Sequence, residues 1–262
     1  MRSGRRGSNP RHPAWEADTL PTELLPHGPY LLARPQRPRQ AETPLPWQAP
    51  PVPPSPAKTA LRRALRARRS AQYPAAHPSA SFALTAQIQS HPAWQSARAI
   101  AAFVGVRGEP DTRPLLEAAL AEGRSLWLPR VLHGTDGLSE LVLTTSLDHL
   151  APAGFGLLEP SPQPDEHTLS TVGPDSGLDL ILVPGLAFSS AGARIGFGAG
   201  HYDRLLAPCA DHPSPVRMGL CFHAFFDPPE GPIPTADHDI TMHWIATERA
   251  VHRGRLTEPS SR

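Results

Sequence analysis

The chain has 262 residues, which is enough for one large domain with a full hydrophobic core. Its formal net charge of +1 gives no argument from bulk charge for a nucleic-acid or membrane partner. Two cysteines are too few for a disulfide framework or a cysteine-based metal site, and no apolar run reaches the ~18 residues of a membrane-spanning helix. The N-terminus has arginines but no apolar segment behind them, which argues against a secretory signal. We therefore predict a cytoplasmic monomer.

Composition divides the chain into three regions. Residues 1–56 hold 14 of the 34 prolines, show little hydrophobic periodicity and end in a polyproline-type run. Such a segment buries too little apolar surface to offset the entropy cost of ordering, so we predict a disordered extension. A single folded domain is predicted over residues 57–252, and a short flexible tail over residues 253–262.

Helical and apolar patterns alternate along the folded region. Helices are predicted over residues 58–69, 81–89, 112–121 and 204–207. Strands are predicted over residues 99–104, 125–128, 138–144 (antiparallel or at an edge), 178–183, 216–222 and finally 244–247. This alternation indicates a mostly parallel α/β sheet. Because such sheets bind ligands beyond the carboxyl ends of their strands, the loops that follow the strands are the places to look for a site.

The first predicted helix carries a basic stripe formed by Lys58, Arg62, Arg66 and Arg69. Lys58 is the only lysine among 25 basic residues, which points to a position that needs a compact, flexible charge. Lys58 and Arg62 are four residues apart and share a helix face, where like charges repel. A bound polyanion would relieve that repulsion. A solvated basic face is the alternative interpretation.

A glycine-rich segment follows the strand at 178–183 and has the sequence Arg194-Ile195-Gly196-Phe197-Gly198-Ala199-Gly200-His201-Tyr202-Asp203. Its alternate glycines permit positive φ and leave backbone N–H groups open to surround an anion. Arg194 and Arg204 add positive charge, and Asp203 is a candidate cation ligand. These features favour a phosphate-binding loop with an attached metal ligand. A tight strand-to-helix turn is the alternative, and the spacing does not match the dinucleotide-binding motif.

The residues around this segment extend it into a longer and more specific sequence pattern. Val183-Pro184-Gly185-Leu186-Ala187-Phe188 precedes it, and Gly192-x-Arg194-x-Gly196-x-Gly198-x-Gly200-x-Tyr202-Asp203 runs through it. This combination resembles the signature of the 5-formyltetrahydrofolate cyclo-ligase family, and the resemblance covers about residues 57–250. It implies an α/β fold with a three-layer, mostly parallel Rossmann-like sheet and helices on both faces, of the NagB/RpiA/CoA-transferase type.

The resemblance also implies an activity. The family converts 5-formyltetrahydrofolate to 5,10-methenyltetrahydrofolate, with ATP as co-substrate, Mg²⁺ as cofactor, and ADP and phosphate as products. The formyl oxygen is phosphorylated to an iminophosphate, which the folate N10 then attacks. This chemistry requires positioning and neutralisation of the γ-phosphoryl charge, and it needs no side-chain nucleophile.

The family's functional residues map onto this sequence position by position. The resemblance implies catalytic roles for Lys58, Arg194 and Tyr202. It implies ATP contacts from Lys58, Thr59, Ala60, Leu61, Arg62, Arg194, Ile195, Gly196, Phe197, Gly198, Ala199, Gly200, His201 and Tyr202. It implies folate contacts from Arg62, Val106, Glu109, Asp111, Phe197, Gly198, Ala199, Gly200 and His201, and metal ligation by Asp203 and Asp239. Without the resemblance, Asp111 reads as a helix N-cap and Asp239 as a turn residue.

Two positions depart from the family pattern in ways that bear on the ligands. His201 stands where the family usually has Tyr, and Phe197 stands where Tyr or Arg is common. These departures leave a non-catalytic folate- or nucleotide-binding protein as an alternative. A sugar-phosphate-binding α/β enzyme would use the same loop without ATP or a metal. An RNA-binding module on the first helix ranks last, because that helix offers no aromatic stacking platform.

Overall fold

The computed structural model describes residues 55–72, 77–106, 108–132 and 138–254. Residues 1–54 of the predicted extension and residues 255–262 of the predicted tail lie outside the described residues, so both remain predictions. The strands of the described region are, in chain order, β1 (Ala99–Ala101), β2 (Ser125–Val131), β3 (Ser139–Thr144), β4 (Leu150–Pro152), β5 (Leu158–Pro160), β6 (Thr168–Leu169), β7 (Leu180–Pro184), β8 (Ala187–Phe188), β9 (Arg194–Ile195), β10 (Val216–Leu220), β11 (Trp244–Ala246) and β12 (Val251–Arg253). The α-helices are α1 (Pro56–Gln72), α2 (Pro78–Ser90), α3 (Pro92–Ser96), α4 (Arg113–Ala121) and α5 (His201–Leu206).

Eight of these strands form one sheet in the order β12-β11-β10-β7-β1-β2-β3-β6. The five inner strands, from β11 to β2, all run parallel. The outer strands β12, β3 and β6 are each antiparallel to the neighbour on their inner side. The prediction of a mostly parallel α/β sheet is confirmed, as is the antiparallel direction of the strand at 139–144. The pairs β4–β5 and β8–β9 form separate two-stranded ribbons.

Side chains on the central strand β7 alternate between two hydrophobic cores. Leu180 and Leu182 belong to a core built with α2, α3 and α4, whereas Ile181 and Val183 belong to a core built with α1 and α5. Since successive residues of a strand point to opposite faces, both faces of β7 are buried under helices. The predicted three-layer arrangement is therefore confirmed. It brings α1, from the start of the domain, onto the same face as α5, which follows the glycine segment.

Several observed strand bounds differ from the predicted ones, and two of these differences have a visible reason. β1 ends at Ala101 and not at residue 104, because the backbone at Phe103 and Gly105 bonds to the Thr112 side chain at the start of α4. The prediction that 244–247 is the last strand is wrong, since β12 follows it. Thr247 turns the chain back, with its N–H donating to the carbonyl of Ala250 at 2.9 Å.

The start of α1 is set by a capping residue that the sequence reading placed in the extension. α1 begins at Pro56, two residues before the predicted start. The Ser55 hydroxyl accepts a hydrogen bond from the Lys58 N–H at 3.2 Å, and its carbonyl accepts one from Thr59 N–H at 3.0 Å. This is the usual geometry of a serine N-cap, with proline at the first helical position. The cap therefore fixes the position of Lys58 in the first turn of α1.

Candidate active site

The basic stripe of α1 lies against the glycine loop, defined here as residues 196–200. Arg62 Nε donates to the Gly196 carbonyl at 3.1 Å across 134 positions of sequence, and Arg66 donates to the Phe197 carbonyl. Arg62 also borders Gly198, whose missing side chain would lie 3.7 Å from the guanidinium. Two segments that the sequence reading assigned to ATP are therefore brought together.

Two ion pairs stand beside this contact. Lys58 Nζ is bonded to an Asp239 carboxylate oxygen, and Arg194 Nη2 donates to Asp203 Oδ1 at 2.7 Å. Burial opposes ionisation of Asp203, but the charge and hydrogen bond of Arg194, followed by the charge of Lys58, hold the pKa of that carboxyl below its usual value. Asp203 is therefore anionic at neutral pH. All four predicted catalytic or metal-binding groups in these pairs belong to one cluster.

The glycine loop takes backbone conformations that only glycine adopts readily. Gly198 has φ of 108° and Gly200 has φ of 69°, both in the region that side chains rarely enter. Gly200 immediately precedes α5, whose first residues are His201 and Tyr202. The loop path therefore depends on glycine at these two positions, as expected of a backbone that approaches an anion closely.

An open depression of about 440 Å³ lies between α1 and the glycine loop, and it is lined by Thr59, Arg62, Arg63, Arg66, Phe197 and Gly198. Three guanidinium groups and no carboxylate face this space. Burial, and then the charge of Arg66, lower the pKa of Arg62. Such crowding of positive charge favours an anionic ligand, since the ligand would supply the missing counter-charge. Phe197, with 42 % of its surface exposed, offers an apolar face beside the arginines.

Three of the residues predicted to contact folate, Val106, Glu109 and Asp111, lie in the loop between β1 and α4. Glu109 is 6 % exposed, and its Oε2 accepts a hydrogen bond from the Val106 N–H at 3.1 Å. Asp111 accepts from the Arg113 N–H at 3.0 Å, and its own N–H donates to Ser81 Oγ at 3.0 Å. The N-cap of α4 is Thr112, so the alternative interpretation of Asp111 as the N-cap is wrong, although its carboxylate accepts from the first N–H of the helix. Glu109 is the carboxylate of this loop that is turned inward.

Tyr202 and His201 begin α5 in different surroundings. The Tyr202 hydroxyl is buried and has no hydrogen-bond partner in the described part of the chain. Burial, and then the charge of Glu109, raise the pKa of Tyr202, so the hydroxyl keeps its proton at neutral pH and remains a donor. His201 Nδ1 lies 2.7 Å from Ser139 Oγ on β3, a contact that no motif in the sequence indicated.

The metal ligands implied by the resemblance are Asp203 and Asp239. No group of three or more His, Cys, Asp or Glu that could enclose an ion occurs in the described segments. Mg²⁺ bound with a nucleotide commonly uses one or two carboxylates and takes its remaining ligands from phosphate and water. Two carboxylates beside the glycine loop would therefore fit a magnesium ion that a nucleotide helps to hold, and do not fit a metal held by protein alone.

Sequence reasoning assigned no role at this site to Arg63, Ser139 or Ser55, and it placed Arg66 and Arg69 in the basic stripe without a ligand contact. The helical spacing of the stripe gave a signal for Arg69, which lies eleven positions after Lys58 and thus on the same helix side. Ser139 gave no such signal, because its contact depends on how β3 pairs with β2. None of the helices in the described segments is long and apolar enough to cross a membrane.

Comparison with known proteins gives a consistent result. The model of the 5-formyltetrahydrofolate cyclo-ligase family matches residues 54–248. The 5-formyltetrahydrofolate cyclo-ligase of Mus musculus is 29 % identical over 197 residues, which cover 73 % of this chain and 94 % of the mouse protein. The protein of the same name from Mycolicibacterium smegmatis is 34 % identical over 159 residues, covering 59 % of this chain and 75 % of its own.

Solved structures agree with the sequence matches. The NMR structure of 5,10-methenyltetrahydrofolate synthetase from Aquifex aeolicus has a TM-score of 0.58 and 26 % identity, and the match covers 78 % of this chain and 96 % of that one. A 5,10-methenyltetrahydrofolate synthetase from Mycoplasma pneumoniae has a TM-score of 0.53 at 16 % identity, and it supports the fold alone.

Proposed function

Since the chain belongs to the 5-formyltetrahydrofolate cyclo-ligase family, we infer that it is an enzyme that converts 5-formyltetrahydrofolate into 5,10-methenyltetrahydrofolate. We propose that ATP is the co-substrate and that phosphoryl transfer takes place between α1 and the glycine loop. The observation that carries this proposal is the contact of Arg62 with Gly196, beside the pairs Lys58–Asp239 and Arg194–Asp203. It brings positively charged side chains and the backbone of the glycine loop together at one place.

The reaction needs two chemical steps at the formyl group. The formyl oxygen attacks the γ-phosphorus of ATP, and ADP leaves. The folate N10 then attacks the activated formyl carbon and loses its proton. The new C–N bond forms as the oxygen departs with phosphate. The protein must hold the two substrates in line and neutralise the charge that moves between the phosphates.

Each charged residue has a place in this scheme. Lys58 and Arg62 neutralise the phosphates from the α1 side, and the N–H groups of the glycine loop surround them from the other. Arg194 lies against Asp203 and stabilises charge on the transferring group. Asp203 and Asp239 would hold Mg²⁺, which supplies charge neutralisation at the phosphate oxygens.

The folate is placed on the β1–α4 side of the same cluster. Glu109 is buried, and a carboxylate there accepts hydrogen bonds from the amino group and ring N–H of a pterin. The Tyr202 hydroxyl keeps its proton and lies within the influence of Glu109 and Arg194, so it can donate to the formyl oxygen. We further propose that the protein acts as a cytoplasmic monomer without nucleic-acid or membrane partners. A relative in Arabidopsis thaliana carries the description mitochondrial.

The test is to follow 5,10-methenyltetrahydrofolate by its absorbance with the full chain, 5-formyltetrahydrofolate and Mg-ATP. Product should form together with equal amounts of ADP and phosphate, and omission of ATP or chelation of Mg²⁺ should abolish it. Thermal stabilisation by ATP and folate without turnover would favour the non-catalytic alternative. Conversion that proceeds equally well without ATP would contradict the proposed phosphorylation.

A further inference from the structure

The last member of the basic stripe on α1 is the most deeply buried one. Arg69 is 4 % exposed and Lys58 is 8 % exposed, whereas Arg66 is exposed. Eleven residues of helix amount to about three turns, so Arg69 projects within about 20° of the direction of Lys58. It therefore continues the side of α1 that carries Lys58, but it contacts the turn after β7.

One arm of the Arg69 guanidinium holds a turn. Its Nη2 donates to the Gly185 carbonyl at 2.8 Å and to the Leu186 carbonyl at 3.0 Å. These residues lie between β7 and β8, immediately after Pro184, whose carbonyl accepts a hydrogen bond from Arg194 Nη1 at 3.4 Å. Arg69 therefore fixes the turn that Arg194 also contacts.

The other arm of the guanidinium faces the proposed folate carboxylate. Arg69 Nη1 lies 3.9 Å from Glu109 Oε1, and both side chains are at least nine-tenths buried. The other Glu109 oxygen, Oε2, is occupied by the Val106 N–H. Arg69 and Val106 thus interact with different oxygens of the same carboxylate, Arg69 through charge and Val106 through a hydrogen bond, which restricts the orientation of its plane.

Burial of this arginine is costly. Burial lowers the pKa of Arg69, and the charge of Glu109 acts in the opposite direction. Its guanidinium also packs over the Phe225 ring at 5.0 Å from the centroid, a place that an apolar side chain would fill without desolvating a charge. Packing alone therefore does not account for a charged residue at this point of α1.

We propose that Arg69 is a positioning residue that orients Glu109 toward the pterin and ties it to the turn beneath Arg194. This inference rests on the proposed function, because it takes Glu109 as a folate contact. Arg69 touches neither substrate and acts through Glu109. Its loss should weaken folate binding far more than ATP binding, because its charge partner is Glu109, whereas it contacts the glycine loop by packing at 5.8 Å from the centroid of the Phe197 ring.

The experiment compares two arginine-to-methionine variants on the same helix. Arg68 is the matched control, because it packs over the same Phe225 ring at 4.6 Å but pairs with Glu230 and not with Glu109. Arg69→Met should raise the Michaelis constant for 5-formyltetrahydrofolate about tenfold and change that for ATP less than twofold. Arg68→Met should change neither. Equal folate constants in the two variants would overturn the proposal.

A double-mutant cycle with Glu109→Gln separates positioning from a general structural effect. If Arg69 acts through Glu109, its substitution should cost much less folate affinity in the Glu109→Gln background than in the wild type. Additive losses would overturn the proposal. Arg69→Lys keeps the buried charge and should recover part of the folate affinity, and it provides a second cycle should Arg69→Met unfold. A wild-type chain with no conversion at all would instead refute the proposed function itself.

Discussion

At the scale of single residues, Lys58 illustrates how composition and structure point to the same group. It is the only lysine among 25 basic residues, and the structure pairs it with Asp239, a predicted metal ligand more than 180 positions away. The Ser55 cap fixes its place in the first turn of α1. A lysine differs from arginine in that its charge is compact and reaches from a flexible stem, which suits contact with a single phosphate oxygen.

We predict that Lys58→Ala raises the Michaelis constant for ATP and lowers turnover by about 10²-fold, as loss of one transition-state contact commonly does. Lys58→Arg should be impaired less, because it keeps the charge but not the shape. Steady-state kinetics of both variants are the measurement, and Arg113→Ala, at an exposed position on α4, serves as the control. ATP constants and turnover within twofold of wild type in Lys58→Ala would show that this face of α1 meets only solvent.

At the scale of elements, the glycine loop needs glycine for its backbone conformation and also lies at the proposed nucleotide site. Gly198 has φ of 108°, and a side chain there would stand 3.7 Å from the Arg62 guanidinium. Gly177 has φ of 76° with open space around it, outside the proposed site. A side chain would be strained at either position. Comparison of the two therefore separates the effect on backbone conformation from the effect on ligand binding.

We therefore predict that Gly198→Ala and Gly177→Ala each lose about 1 kcal/mol of unfolding free energy, because alanine is strained at positive φ. Only Gly198→Ala should raise the Michaelis constant for ATP, since only there does the loop face the basic stripe. Denaturant titration and kinetics measure the two effects. An ATP constant in Gly198→Ala that matches Gly177→Ala would remove the loop from the nucleotide site.

The elements also show which parts of the fold can be predicted from sequence. The strand at 180–184 and the glycine segment are local signals, since an apolar run and a spacing of glycines are visible without the rest of the chain. The pairing of Arg62 with Gly196 spans 134 positions, and only the family resemblance brought the two segments together in advance. The contacts Arg69–Glu109 and Ser139–His201 depend on strand order and helix placement. A local sequence pattern shows neither the strand order nor the helix placement.

At the scale of the whole molecule, a buried arginine ties the end of the sheet to the loops around it. Arg217 on β10 is 1 % exposed and donates to the carbonyls of Cys209, His212 and Thr241. His243 accepts from the Arg217 N–H at 2.9 Å, and its Nε2 lies 3.1 Å from Arg217 Nη2. Burial, and then the charge of Arg217, lower the pKa of His243 to about 4.

This neutral histidine gives stability a dependence on pH. The unfolded chain protonates His243 near its ordinary pKa of 6.5, whereas the folded chain does so only near 4. The contribution of neutral His243 to the free energy of unfolding is therefore complete above pH 6.5, and it is lost as pH falls toward about 4. We predict that His243→Gln, which keeps an acceptor for Arg217, flattens the fall in melting temperature over this window. The exposed His149→Gln is the control, and a curve for His243→Gln parallel to wild type would contradict the assignment.

The boundary of the folded domain gives a further prediction for the whole chain. The family match begins at residue 54, and Ser55 caps α1. A chain that starts at Ser55 should therefore keep the melting temperature and activity of the full protein. Removal of Ser55 as well should cost about 1 kcal/mol through loss of the cap. Precipitation of the chain that starts at Ser55, or loss of its thermal shift with ATP, would show that residues 1–54 belong to the working enzyme.

In the proposed reaction the formyl oxygen is phosphorylated at the cluster of Lys58, Arg62 and Arg194. An isotope experiment tests it most directly. 5-Formyltetrahydrofolate labelled with a heavy oxygen isotope in the formyl group is converted with Mg-ATP, and the released phosphate is analysed by mass spectrometry. Labelled substrate incubated without enzyme controls for exchange with water. The proposed mechanism predicts that the label leaves in phosphate, one atom per turnover. Unlabelled phosphate, with the heavy oxygen in water, would contradict it.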